Sequence, residues 1–296
     1  MGNKFTMRGG RLQPAQKVRL KADTTRNEVD DALARAVVYR TLSIGFQAPT
    51  EERLRQIGAR NGFAGVSTAL NHLARRDAQT AQRDAQTVRS VRLQADHGQP
   101  VAAHLASLMV PSIEALVDDF VHLFGHTTRG LVCACETEYG PDNGFHQPQQ
   151  LADISGYYLA FGLRPAAASD VRADHIACEC EFMDFLNRKE ALLLANRSQW
   201  AHGRETLEVT ARAAHSFLRD HLGRFGRAFA VRVATEDRGG YFGALGRVLL
   251  GFVDAECVRV GVESGPVDLA VRPDVPDETP MACGTSEQLI QIQRRP

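Results

Sequence analysis

Apolar positions along most of the chain recur at every third or fourth residue. In the first such segment, Val29, Leu33 and Val37 follow this spacing, and Gly45 and Pro49 come directly after it. The spacing is typical of an amphipathic α-helix, because residues three and four apart share one helix face. Gly and Pro are common helix terminators. The segment therefore predicts a helix that ends near Gly45.

The same periodicity continues to about residue 260, and alternation with period two is nearly absent. Thr50, followed by Glu51 and Glu52, predicts the N-cap of a second helix. Pro111 lies inside a long amphipathic run and indicates a kink or a helix start. Further helices are predicted within residues 101–124, 149–163, 173–191, 204–234 and 241–261. We expect an all-α protein of roughly ten helices.

Three segments lack this apolar pattern. Residues 1–27 are basic and predict a disordered head, and residues 263–296, rich in Pro, Gly, Asp and Glu, predict a tail. Residues 75–97 contain the polar repeat "RDAQTAQRDAQTVR", which indicates an insertion that forms a mobile loop or a solvated helix extension. The helical domain is thus expected over residues 28–262.

Charge and hydropathy exclude some classes of partner. The chain carries 35 basic and 35 acidic residues, and its pI is near 7.1. This balance removes the broad electrostatic argument for binding to nucleic acid or to an anionic membrane. No run of about 18 apolar residues occurs, so we expect no membrane insertion.

Six cysteines are too few for a disulfide scaffold in a chain of 296 residues, and we expect cytosolic thiols. Cys178 and Cys180 would point about 200° apart on a helix, so they cannot chelate one ion together. A metal site built from Cys133, Cys135, Cys178 and a histidine stays open. A metal-binding or redox-sensing helical protein is therefore one alternative.

The segment "ADHIACECEFMDFLNRKEA", residues 173–191, places polar side chains where a helix should be apolar. His175 and Glu179 are neighbours at i and i+4 and fall inside the apolar arc. A buried carboxylate costs several kcal/mol unless it is paired. Asp174 is either the N-cap of this helix or part of a polar cluster that accepts a basic peptide.

Catalysis by His175 and Glu179, as acid and base, is the other alternative. No phosphate-binding glycine loop and no common nucleophile or zinc motif accompanies these residues. We therefore expect a protein that is not an enzyme and that needs no cofactor of its own.

Five segments carry a resemblance to a known family. In order along the chain they are "CETEYG", "LADISGYYLAFGL", "ADHIACECEFMDFLNRKEA", "FLRDHLGRFGRAFA" and "YFGALGRVLLGFVDAEC". Their order and spacing resemble the TorD/DmsD/NarJ family of chaperones for molybdenum oxidoreductases, over residues 29–262. The resemblance is closest to the branch that serves type II enzymes of the dimethyl sulfoxide reductase family.

This resemblance implies a cytoplasmic chaperone with two helical subdomains around a hinge near residues 164–174. Such a chaperone binds the twin-arginine signal peptide of a molybdopterin-dependent catalytic subunit and assists cofactor insertion before export. It would be a monomer or a dimer.

The resemblance also implies which residues bind the client peptide. Asp174 and His175 match the family's Asp-His motif, Glu179 belongs to the pattern that follows it, and Glu136 and Tyr139 match a Glu-x-x-Tyr segment. Two guanidinium groups followed by an apolar stretch need carboxylates beside an apolar groove. The predicted client-binding residues are Asp174, His175, Glu179, Glu136, Tyr139, Tyr157, Phe182, Leu186 and Phe217. The chain departs from the family where "VCAC" precedes Glu136 and "RA" precedes Asp174.

Overall fold

The computed structural model describes residues 14–61, 63–87, 105, 108–125, 130–140, 146–164, 171–197, 199 and 202–272. Its α-helices are α1 (Pro14–Gly45), α2 (Glu51–Gln56), α3 (Ala64–Thr87), α4 (Ile113–Phe124), α5 (His146–Ala160), α6 (Ile176–Ala195), α7 (Gly203–Phe217), α8 (Gly223–Glu236) and α9 (Tyr241–Val260). Short 3₁₀ turns span Ala59–Asn61 and Glu136–Glu138. Strand pairing within these residues is limited to two isolated β-bridges, so the predicted all-α class is confirmed.

Local chemistry sets several of the helix ends. α1 ends at Gly45, as its apolar stripe predicts. The Thr50 side chain accepts a hydrogen bond from the Arg53 N–H and caps α2. Ser112 caps α4 by accepting from the Ala115 N–H, so Pro111 stands just before a helix start and not at a kink. Caps of this kind satisfy backbone donors that have no partner inside the helix.

The segments outside the apolar pattern differ in part from their predictions. α1 begins at Pro14, inside the segment predicted to be disordered. Lys, Arg, Leu, Gln and Ala propagate an existing helix at little cost, even without an apolar stripe. α3 continues to Thr87. The first part of the polar repeat therefore extends a helix, which is one of the two predicted alternatives. Residues 1–13, 88–97 and the hinge residues 165–170 lie outside the described residues.

The first part of the predicted tail packs onto the helices. The Gly265 N–H donates to the Gly223 carbonyl at 2.9 Å, and the Arg272 side chain is buried. Tyr139 and Val271 form a β-bridge. Residues 263–272 therefore belong to the folded body, because their backbone groups are satisfied by it, whereas residues 273–296 lie outside the described residues.

The apolar core lies where α1 packs against α6 and α3, and where α8 packs against α9. Tyr39 and Phe252 contact edge to face at 4.8 Å, and Phe46 and Phe229 do so at 5.1 Å. Each fully buried side chain of this size contributes about 1.5–3 kcal/mol through removal of its apolar surface from water.

A π-helical turn, Leu218–Leu222, joins α7 to α8 without a break. Such a turn holds one more residue than an α-helical turn and often lies at a functional site. A Cβ on Gly223 would collide with the Leu218 carbonyl oxygen, so this position needs glycine. The turn buries His221, which reaches the site described next.

Candidate functional site

Two loops meet beside the start of α6. The Glu136 N–H donates to the Asp174 carbonyl, and the Ile176 N–H donates to the Ala134 carbonyl, both at 2.8 Å. On the other side, the Arg272 N–H donates to the Glu138 carbonyl at 2.7 Å. We call the resulting region, residues 135–139 and 172–179 with His221, the acidic junction. Backbone pairing on both sides fixes the Glu136–Glu138 turn in place.

Asp174 is the centre of a charged cluster in the acidic junction. Its Oδ2 accepts hydrogen bonds from the Thr137 N–H at 3.1 Å and from the Thr137 hydroxyl at 2.8 Å. Arg172 donates to both carboxylate oxygens, from Nε at 3.0 Å and from Nη2 at 2.9 Å. Arg172 Nη1 also donates to Glu138 Oε1 at 2.9 Å. Bidentate, charge-assisted pairing of this kind offsets the cost of burying Asp174.

Glu136 and Glu179 form a buried carboxyl pair. Both side chains are fully buried. Neither oxygen of Glu179 nor Oε1 of Glu136 has another hydrogen-bond donor within the described ranges. Burial raises the pKa of Glu179 well above its usual value, and the neighbouring Glu136 charge raises it further. Because two adjacent carboxylates repel, the Glu179 carboxyl favours its protonated form.

His221 connects this pair to the surface. Its Nδ1 lies 3.0 Å from Glu136 Oε2. Its Nε2 lies 3.2 Å from Asp153 Oδ2, although the two atoms do not align as a hydrogen bond. The Asp153 side chain is 64% exposed. Sequence reasoning missed His221 as a site residue, and only its Asp-His pair, "RDHL", resembled the Asp174–His175 pair.

His175, and not Asp174, caps α6. The His175 Nδ1 accepts a hydrogen bond from the Ala177 N–H at 3.1 Å. Burial lowers the pKa of His175 to about 4, while the Asp174 charge opposes this shift. The ring is therefore neutral at pH 7, as an accepting nitrogen requires. The N-cap alternative for Asp174 is wrong, because Thr137 and Arg172 use its carboxylate instead.

The predicted apolar residues pack mainly against one another. Phe182 and Phe217 contact at 4.8 Å, and Tyr157 lies 5.3 Å from Phe217. Tyr139 is fully buried and donates its hydroxyl to the Cys133 carbonyl at 2.7 Å. Leu186 is also buried. Only Tyr157 is half-buried, so these side chains form core in this state, and their contact with a peptide stays a prediction.

The predicted carboxylates do not line an open groove here. Glu136, Asp174 and Glu179 are all fully buried, because each pairs with another group of the acidic junction. The sequence pattern identified the unusual position of Glu179 on an apolar face but none of these partners. Direct contact with a peptide requires the acidic junction to open.

The family model described as the nitrate reductase delta subunit matches residues 91–231. Over these residues the chain is similar to the nitrate reductase delta subunit family. The family comprises chaperones of the NarJ/TorD type, so the predicted resemblance is confirmed at this level, while the branch stays a prediction. No curated protein and no solved structure matches the chain.

The matched range covers all nine predicted client-binding residues and His221. The match therefore includes both the acidic junction and the predicted apolar residues beside it.

The cysteines of the chain are poor metal ligands in this state. Cys133, Cys135 and Cys180 are buried. Burial raises the pKa of the half-buried Cys178 to about 12, so its thiol stays protonated at pH 7. Across the ranges that the structure describes, His, Cys, Asp and Glu side chains form no group of three or more that could hold a metal ion.

In the described part of the chain, no helix is both long and apolar enough to cross a membrane.

Proposed function

We propose that this protein is a cytoplasmic maturation chaperone for the catalytic subunit of a molybdopterin-dependent oxidoreductase. The delta subunit family is a family of molybdoenzyme maturation chaperones. The chaperone binds the subunit's twin-arginine signal peptide and assists cofactor insertion before export or assembly. Its role is binding, and no chemical step is assigned to its own residues.

One observation carries the proposal: the family match covers a region in which buried carboxylates gather beside aromatic side chains. A twin-arginine peptide presents two guanidinium groups and then an apolar stretch. Asp174 and Glu138 already bind a guanidinium group, that of Arg172. The cluster of Tyr157, Phe182 and Phe217 lies on the neighbouring helices and suits an apolar stretch.

Binding at these groups requires a second state of the acidic junction. The carboxylates are buried in the described state, so a peptide gains contacts only in a state that exposes them. A ligand stabilises such a state by its difference in affinity between the two states. The neutral His175 cap and the Glu179 carboxyl, with its raised pKa, mark the contacts that change on opening.

Calorimetric titration with a synthetic twin-arginine signal peptide tests this function. A twin-lysine peptide is the control, since lysine cannot make the bidentate contacts of arginine. We expect binding to the arginine peptide that weakens with lysine and with added salt. Equal affinity for both peptides, or no binding to several different signal peptides, would contradict the proposal.

Variants of the chain locate the binding. Asp174→Asn removes the charge that faces a guanidinium group while keeping the side-chain shape, and we expect it to weaken peptide binding at least tenfold. Arg188→Ala is the matched control, because it disrupts a different Arg–Asp contact, with Asp184 on α6. Loss of affinity in both variants would indicate a general effect on α6 and not a site at Asp174.

A further inference from the structure

We propose that Asp174, Glu138 and Thr137 form a guanidinium-binding site that Arg172 of the chain itself occupies in the free protein. An arginine side chain of the client then takes the place of Arg172. The site is inferred from contacts within this chain alone, whereas the identity of the incoming arginine rests on the proposed function.

The contacts of Arg172 match the geometry of a guanidinium group and not of a simple cation. Nε and Nη2 bind the two oxygens of Asp174, Nη1 binds Glu138, and Nη2 also reaches the Thr137 hydroxyl at 2.5 Å. All three nitrogens are thus used, in the planar fork that only arginine presents. A lysine ammonium could satisfy one of these acceptors well, but not both oxygens of Asp174 in the same way.

The exposures show which member of the site can leave. The side chain of Arg172 is 32% exposed, while those of Glu138 and Asp174 are 6% and 0% exposed. The guanidinium group therefore lies on the solvent side of the two carboxylates. If it moves away, the acceptors behind it become accessible from that side.

Arg172 is also placed where movement costs little secondary structure. It lies before the first residue of α6, and α6 keeps its own cap at His175. The backbone pairing of Glu136 with Asp174 does not involve the Arg172 side chain. Arg172 can therefore change its side-chain position without breaking a helix or the pairing of the two loops.

An internal ligand of this kind lowers the apparent affinity for an external one. The apparent affinity scales with the fraction of molecules in which the site is free. If Arg172 fills the site about nine-tenths of the time, its removal strengthens binding of an external arginine about tenfold. The effect has the opposite direction to that of a structural arginine, whose removal would weaken binding.

The first experiment tests the site without any client. The thermal midpoint of Arg172→Ala is measured with N-ethylguanidinium and with N-ethylammonium, at concentrations far below those that denature proteins. We expect N-ethylguanidinium to raise the midpoint of this variant, and N-ethylammonium to leave it unchanged. Wild type and Arg188→Ala serve as controls and should respond to neither. An Arg172→Ala midpoint that ignores N-ethylguanidinium would overturn the site.

The second experiment tests the exchange. Calorimetric titration of Arg172→Ala with the twin-arginine peptide should show about tenfold tighter binding than wild type. Arg172→Lys keeps a positive charge beside Asp174 and so protects the fold. It should bind severalfold tighter, because one ammonium group holds the site less firmly. Equal or weaker binding by both variants would overturn the exchange and make Arg172 a structural partner.

The two experiments separate this inference from the proposed function. If neither wild type nor the variants bind any signal peptide, the proposed function fails, and the client half of the inference falls with it. The guanidinium site itself is then decided by the thermal midpoints alone.

Discussion

The apolar core around Phe46 and Phe229 and the acidic junction around Asp174 are buried to the same depth. They are stabilised in different ways. The core is held by removal of apolar surface from water, which pH and salt hardly change. The acidic junction is held by paired charges and contains the Glu179 carboxyl with its raised pKa, so its stability depends on pH and on each partner being present. Burial alone therefore does not indicate how firmly a region is closed.

This difference bears on function. Regions that open locally are drawn from the less stable parts of a fold. A core of aromatic pairs opens only with global unfolding, whereas ion pairs can exchange partners one at a time. The acidic junction is therefore the better place for a binding event that needs rearrangement.

The largest effect is expected in the apolar core. Phe229 contacts Phe46, Phe124 and Phe225, and its side chain is fully buried. Phe229→Ala should lower the free energy of unfolding by about 3–5 kcal/mol, because it removes this burial and leaves a cavity. Urea denaturation near pH 5 and near pH 8 should give the same loss. A loss of unfolding free energy that differs strongly between the two pH values would contradict a purely apolar core.

Asp174→Ala should cost less, about 3 kcal/mol, and its cost should depend on its partners. The substitution leaves the buried Thr137 N–H without its side-chain acceptor and Arg172 without its bidentate partner. In the background of Arg172→Ala, the further cost of Asp174→Ala should shrink by at least 1 kcal/mol, as a double-mutant cycle measures. Additive losses would show that the two side chains do not stabilise each other.

Glu179→Gln should change the pH dependence of stability. Because the folded-state pKa of Glu179 is raised by burial and by Glu136, the unfolded chain releases its proton first as the pH rises. Wild type therefore loses up to about 1.4 kcal/mol per pH unit from about pH 4.3 upward, until the folded-state pKa is passed. Glutamine cannot ionise, so the variant should show a flatter curve over this range. An unchanged slope in urea denaturation would contradict the raised pKa of Glu179.

His175→Asn should have the smallest effect on stability. The pH dependence that it removes has the opposite sign to that of Glu179. Asparagine preserves an N-cap acceptor, so the loss near pH 7 should stay below about 1 kcal/mol. The wild-type ring, with its pKa lowered to about 4, contributes stability that is present above about pH 6.5 and lost as the pH falls through 4. The variant should lack this decline. Thermal melts of wild type and variant between these pH values measure the difference. An equal loss of stability in both proteins would contradict the neutral ring.

The sequence predicted the features that local chemistry controls. Gly45 ends α1 and Thr50 caps α2, because each effect depends on residues within one turn. The apolar arc of α6 also identified His175 and Glu179 as polar groups in need of an explanation, whereas Glu136 and Asp174 were identified through the family resemblance. A helical wheel gives the direction of a side chain but not what lies opposite, so their mutual pairing and burial were not predictable from it.

The partners of the acidic junction are distant in sequence. Thr137 and Asp174 are 37 residues apart, and His221 and Glu136 are 85 residues apart. The packing of the π-helical turn against α6, and the pairing of the loop at Glu136 with that at Asp174, bring such residues together. The cap of α6 is a local feature, yet the alternative that gave it to Asp174 is wrong, because Asp is the commoner capping residue while His175 supplies the acceptor here.

The π-helical turn at Leu218–Leu222 absorbs one residue more than a regular α-helical turn. Deleting a single codon inside the turn would therefore restore a regular α-helix while Phe225 and Phe229 keep nearly the same direction toward the core. Deleting one codon after the turn, between Phe225 and Phe229, would instead rotate the side chains that follow by about 100° and turn Phe229 away from the core. Homologues should consequently tolerate the loss of one residue inside this turn more readily than in the helix beside it, a constraint on the position of insertions and deletions that no single side chain imposes.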